Sequence, residues 1–441
     1  MSTKSPASLR EGGGPLAVEG ARACLSNTPK SPKSPLSKAP PRGGAVAFAT
    51  ERGQSKFPTA LAIRHRMLYN EHSYIPEREI NMDIKRLKTG VAYYGNRMLS
   101  HAISDMKDIA RSDMDVVVHM LTHNDIERCF NVMKDIFKAT ESEGLEIWVD
   151  NWGIGGAPGD KSHFLSYHPE AHTYYGDGMM HPFQICLNSP AYREFVKDWI
   201  NKVAELGGKT LFWDEPRIPE MQIPGTDDYY SACTCPTCRK LFEDKFGKKM
   251  PTVMDKDVSK FRNDVIIEFH NFITEYAKSL GMINVICLMP YQLSGMKKQT
   301  EKEKLLNFDI DAVCSMPYVD NIGTDPYWFS AGKDVSPYEY NYNATKLCLE
   351  KANQYGKDHN IWIQGYGAPC GREEEIIEAT EAVYDAGART ILSWSYRAAE
   401  SHCYRSTNIE RSWLCTVEGF KRIKSMDRDR ILAENRKKYM K

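Results

Sequence analysis

From residue 88 onward, short β-branched or aromatic runs alternate with longer stretches of helical period, and the alternation repeats eight times. Strands are expected at Thr89–Tyr94, Val116–Leu121, Glu146–Asn151, Thr210–Asp214, Asn284–Met289, Ala312–Pro317, Asn360–Gly365 and Thr390–Tyr396. The clearest helices are expected at Ile126–Thr140, Ala191–Leu206, Val258–Leu280, Asn343–Tyr355 and Glu373–Ala386. Strands joined by helical crossovers form a parallel sheet, and eight such units close into a (β/α)8 TIM barrel of the α/β class. A doubly wound open sheet would call for a Gly-rich phosphate loop after its first strand. The chain carries Tyr93-Tyr94-Gly95-Asn96-Arg97 there. The barrel is therefore expected over residues 88–430.

What precedes the barrel differs from it. Residues 1–56 hold Ser31-Pro32, Ser34-Pro35 and Gly12-Gly13-Gly14 with few large apolar residues, which predicts a disordered N-terminal extension. Its acid-poor character also suits an organelle transit peptide. Residues 57–87 read as a lead-in segment. Basic and acidic groups balance at 58 each, which argues against a nucleic-acid partner. No apolar run is long enough for a membrane span, and no secretory leader is recognisable, so a cytoplasmic protein is expected. In that setting its 12 cysteines read as thiols or metal ligands, not disulfides. A homo-oligomer is compatible with the sequence, but nothing in it requires one.

In such barrels, function sits where strands run into their following loops. The expected strand exits carry Tyr94 and Arg97, His123 and Asp125, Asp150-Asn151-Trp152, Asp214-Glu215-Pro216, Tyr291-Gln292, Tyr318, Gln364 and Tyr366, and Trp394, Tyr396 and Arg397. Flat rings stack on sugar C–H faces, and forked polar groups pair with adjacent hydroxyls, so this mixture suits a carbohydrate. Tyr94, Arg97, Trp152, Tyr318, Gln364, Tyr366, Trp394 and Tyr396 are the candidate sugar contacts. Any one of these aromatics is equally at home as a rim residue of the barrel.

The sharpest local feature is Thr210-Leu-Phe-Trp-Asp-Glu-Pro216, where two acids directly follow a buried apolar run. Desolvation and a neighbouring negative charge both favour a protonated carboxyl, which would make Glu215 a proton donor. Helix capping or pairing with Arg217 would explain the same residue without catalysis. A second feature is Cys233-Thr-Cys235-Pro-Thr-Cys238, whose three thiolates can reach one soft tetrahedral ion, zinc by default. Cys186 is the candidate fourth ligand, because it opens Cys186-Leu-Asn-Ser-Pro190 before a helix. Four cysteines would make the zinc structural, since no position is left for substrate. The long loop of about residues 152–185, with His163, His168, His172 and His181, matches no zinc-protease spacing and reads as a substrate-shaping lid.

Two segments resemble glycoside hydrolase family 42, the β-galactosidases of the clan A barrels. One is Cys186-Leu-Asn-Ser-Pro-Ala-Tyr-Arg193, similar to that family's Cys-Pro-Asn-Ser-Pro-x-Tyr-Arg. The other is the acidic end of the fourth barrel strand followed by the cysteine loop at 231–239. The resemblance implies that Cys186, Cys233, Cys235 and Cys238 hold zinc and that Glu215 is the acid/base, with Asp214 replacing the family's Asn. It also implies a second catalytic Glu at the end of the seventh barrel strand, where this chain has Ile361-Trp-Ile-Gln364-Gly365-Tyr366. Three readings follow. Another acid, Asp325 in Gly323-Thr-Asp-Pro-Tyr-Trp328 or else Asp150, partners Glu215 in a glycosidase. Alternatively, Asp214-Glu215 resembles the pair of substrate-assisted β-N-acetylhexosaminidases. The third reading is a carbohydrate-binding barrel without hydrolysis. Asp325 before proline also suits a turn, and Asp150 a capping role.

Overall fold

The structure is a computed structural model that describes residues 85–154, 159, 161–290, 299–332 and 334–439. The expected extension at 1–56, most of the 57–87 lead-in, and Tyr291 and Gln292 lie outside the described residues. Eight parallel strands close on themselves: β1 (Lys88–Tyr93), β2 (Val116–Met120), β3 (Glu146–Asp150), β6 (Thr210–Trp213), β7 (Ile283–Leu288), β8 (Asn321–Thr324), β9 (Asp358–Gln364) and β10 (Thr390–Trp394). The remaining pair, β4 (His172–Tyr174) and β5 (Met180–Ile185), forms a separate antiparallel ribbon inside the long loop after β3. Helices join the strands, so the expected (β/α)8 barrel is the fold.

Side chains alternate along each strand, which sorts them into two cores. Ala92, Val118, Trp148, Phe212, Val285, Cys287, Trp362 and Leu392 fill the barrel interior. Their neighbours in sequence, such as Val91, Val149, Trp213, Ile286, Ile363 and Ile391, face the helices. Gly90 shows how tight the interior is: a Cβ there would lie 2.4 Å from the Val116 carbonyl oxygen and 2.7 Å from its Cβ. Helix ends follow local chemistry. Pro190–Leu206 opens with Ser189 accepting from the Tyr192 N–H and Pro190 in its first turn, and it closes on Gly207 at φ 95°.

One strand was misplaced by the sequence pattern. The first half of the run expected as a strand at Ala312–Pro317 belongs to a short helix, Ile310–Cys314, and the sixth barrel strand is Asn321–Thr324. Asp309 caps that helix by accepting from the Ala312 N–H. A run of a few apolar residues fits either a strand or a buried helical turn, and here the cap decides. Among the described residues no helix is long and apolar enough to cross a membrane.

Candidate active site in the barrel mouth

The strand ends bring four carboxyl groups together. Asp150 is the last residue of β3 and alternates with Trp148, so it faces the interior. Asp214 alternates with interior Phe212, and Asp325 follows β8 directly. Burial first, then the charges of Asp214 and Glu215, pushes Asp150 well above the usual carboxylate range. Burial and Glu215 do the same to Asp214, with Arg217 opposing. Burial, Glu215 and Asp214 raise Asp325. One oxygen of Asp150 and one of Asp325 are buried without a hydrogen-bond partner among the described residues.

Glu215 differs from the other three. Its carboxylate sits 3.1 Å from the Arg217 guanidinium, the pairing that the sequence offered as a non-catalytic explanation. Its backbone lies in the left-handed region at φ 39°. For a side chain other than glycine that costs about 1–3 kcal/mol, and such strain concentrates where geometry serves function. The Asp214 N–H donates to the Asn151 side chain at 3.2 Å, tying the two strand exits together.

Aromatic rings wall this cluster. Trp152 lies 5.7 Å from Tyr94 and 5.6 Å from Trp394, centroid to centroid. Trp394 continues to Tyr366 at 4.7 Å, and Tyr366 meets Tyr327 edge-on at 5.3 Å. The buried indole N–H of Trp152 has no acceptor among the described residues. Tyr327 and the ring pair His402 and Tyr404, which packs against Trp394, were not among the sequence candidates. Tyr327 stood inside the quoted Gly323–Trp328 motif, so a period-2 reading from the correct strand would have found it.

The other candidates separate. Gln364, at the exit of the seventh barrel strand, is buried and accepts from the Phe329 N–H at 2.9 Å, so it clasps the preceding loop. Arg97 is held by Asp125 in a two-pronged ion pair, both contacts at 2.6 Å. Tyr318 is a correction. It precedes β8, its carbonyl accepts from Asn284 near the start of β7, and its hydroxyl donates to Glu275. That is the opposite end of the barrel, a consequence of the misplaced sixth strand. Tyr396 is a second correction. The strand ends at Trp394, and left-handed residues Arg397, Ala398 and Ala399 turn the chain away. Its ring packs between Tyr93 and Trp413 outside the barrel, and its hydroxyl donates to Asp108 at 3.0 Å.

The four cysteines converge beside the ribbon. Cys186 follows β5, Cys233 precedes Cys235, which caps the helix Pro236–Phe246, and Cys238 lies in that helix's first turn. The Cys186 sulfur is 3.6 Å from that of Cys235 and 3.4 Å from that of Cys238, and all four sulfurs lie within 4.8 Å of one another. Four buried thiolates that close would repel, whereas one divalent cation among them satisfies all four. The cluster could therefore hold a metal. The four loop histidines do not form one group: His168 pairs with Glu170, and His172 bonds the His181 carbonyl.

No family model matches the chain, and no curated protein matches it. Among solved structures, the β-galactosidase from Bacillus circulans sp. alkalophilus is 13% identical over 77% of this chain, with a TM-score of 0.57. The β-galactosidase from the psychrophilic Marinomonas ef1 is 13% identical over 76%, with a TM-score of 0.56. This chain spans 56% and 59% of those two proteins. At that identity the likeness is one of fold alone, the (β/α)8 barrel.

Proposed function

We propose that the protein is a glycoside hydrolase acting on a small or exo-presented glycoside. One observation carries this reading: among the described residues, four carboxyl groups share an aromatic-walled site at the strand exits with one guanidinium, that of Arg217. With so little counter-charge, burial and mutual repulsion favour the protonated form in Asp150, Asp214 and Asp325 and disfavour ionising the whole cluster at once. It thus contains both an acid and a base, the pair that glycoside cleavage needs. The unpartnered oxygens of Asp150 and Asp325 and the Trp152 N–H are suited to sugar hydroxyls, and the rings to sugar C–H faces.

In this reading Glu215 is the general acid/base that protonates the glycosidic oxygen as its bond to the anomeric carbon breaks. Asp214 orients Glu215 or the substrate. Asp325, or else Asp150, stabilises the developing positive charge as nucleophile or activates the incoming water. Separations of about 5–5.5 Å go with retention of configuration and about 6.5–9.5 Å with inversion. The amide of Gln364 at the seventh strand exit favours a second version, in which a substrate acetamido group steadied by Asp214 replaces the missing protein nucleophile. Zinc at the four cysteines would fix the segment after β6 beside Glu215.

The test is an aryl-glycoside panel including β-galactoside and N-acetyl-β-glucosaminide, run with wild type and Glu215→Gln. The expected result is turnover by wild type and a loss of at least about a hundredfold in kcat for the variant. Product-anomer NMR then assigns retention or inversion. Turnover that survives unchanged in Glu215→Gln would sink the assignment. Sugar binding without turnover by the wild type would instead make the barrel a carbohydrate-binding module.

A further inference from the structure

We propose that the sugar held in the barrel mouth carries an ammonium group: the substrate is a glycoside of a free 2-amino-2-deoxy sugar, and Asp150 is the carboxylate that pairs its nitrogen. This rests on the glycoside-hydrolase reading, which places the anomeric carbon among the strand-exit acids. Cleavage needs two carboxyl groups. Four converge here, and among the described residues one guanidinium answers them, that of Arg217, 3.1 Å from Glu215. Arg217 offsets part of the repulsion felt by Asp214 and Asp325, whereas at Asp150 burial and the acidic neighbours are the causes at work. Asp150 is 2% exposed, faces the barrel interior, and has one oxygen without a partner among the described residues.

The walls suit a cation as well. Trp152, two residues beyond Asp150, packs with Tyr94 and Trp394 over the interior cluster. Tyr327 and Tyr366 feel the charge of Asp325, so rings and acids share one chamber. Ring faces attract ammonium groups, and a buried carboxylate pairs them. A neutral sugar would give the Asp150 oxygen a hydroxyl but no compensating charge, and an anionic sugar would add to the repulsion. An ammonium supplies three donors and the missing positive charge together. The carboxyl groups that flank the scissile bond reach the sugar's C2, which adjoins the anomeric carbon, so the nitrogen belongs there. With Asp150 on the nitrogen, Asp325 is left as the partner of Glu215. Binding is then linked to protons: the incoming cation favours the ionised acids and expels their protons.

The test uses the full-length protein with p-nitrophenyl β-glucosides and β-galactosides bearing an amino, acetamido or hydroxyl group at C2. Non-hydrolysable phenyl thioglycosides of the same sugars serve for calorimetric binding. The amino sugar of one series should exceed both counterparts by at least about tenfold in kcat/KM and in affinity. Its affinity should rise between about pH 5 and 7, below the range where such an amine loses its own proton, with protons released on binding. Asp150→Asn, which keeps the shape of the side chain, should erase the amino-over-hydroxyl preference and the proton release. Turnover that favours the hydroxyl or acetamido sugars overturns the inference and leaves the hydrolase reading standing. Proton-linked binding of the amino thioglycoside without turnover of any substrate upholds the inference and sinks that reading. No preference for the amino sugar in binding, or a preference untouched in Asp150→Asn, overturns the inference.

Discussion

Asp150 joins three features that together define its chemistry: it is buried, one of its oxygens lacks a partner, and its acidic neighbours favour the proton. A carboxyl raised in the folded state binds more protons folded than unfolded. The stability it contributes is complete below its unfolded value, about 3.9, and is lost as pH rises through the folded value. Asp150→Asn keeps the shape and removes that penalty. The variant should melt about 1–3 °C higher at neutral pH, with the gain fading as pH falls toward about 4. Thermal melts of both proteins across this range check it, and a gain that ignores pH would refute the linkage. Asp150, Asp214 and Glu215 were legible because they directly follow apolar strand residues. The ring pair His402 and Tyr404 was not, because it lies beyond the last strand and only the fold brings it back against Trp394.

Elements were legible where period and caps agreed, as in Pro190–Leu206. They were not where the strand was weak. Asn321-Ile-Gly-Thr324 has only two β-branched residues and a glycine, because Gly323 must leave room for the Asn360 side chain, which a Cβ would approach to 2.4 Å. The ribbon β4–β5 was also missed, since its strands are short and its stabilisation is non-local. Its C-terminal end, Cys186, meets the helix Pro236–Phe246 through the cysteine cluster. If the cluster holds a metal, its removal loosens these two elements first. With a strong chelator, or in Cys235→Ser, the melting temperature should fall by roughly 5 °C or more. Activity of the molecules still folded at low temperature should change much less. Calorimetry paired with initial rates separates the two effects, and equal loss in both would argue that the cluster takes part in the chemistry.

At the scale of the whole molecule, Asp427 ties the barrel's beginning to its end. It is buried in the helix Ile409–Tyr439, accepts from the Leu87 N–H at 3.0 Å, and pairs with Arg430 at 2.8 Å. Arg389, which leads into β10, lies 3.7 Å away. Removing that carboxylate leaves the Leu87 N–H without its acceptor and two guanidinium groups with only Glu434 and backbone carbonyls to pair with. Asp427→Ala should cost about 3–5 kcal/mol in urea denaturation, a value read directly from the shifted midpoint. A cost below about 1 kcal/mol would show that the helix is held by its apolar face alone.

The closed order of strands sets a schedule on the ribosome. β1 hydrogen-bonds β2 on one side and β10 on the other, with Lys88 facing Thr390. One flank of the first strand made must therefore wait for the last. A nascent chain halted anywhere before residue 390 is an open sheet with two unpaired borders, a form prone to pairing with its neighbours. The steps that guard this protein against aggregation during synthesis thus fall late, when its final strand and the helix that carries Asp427 leave the exit tunnel.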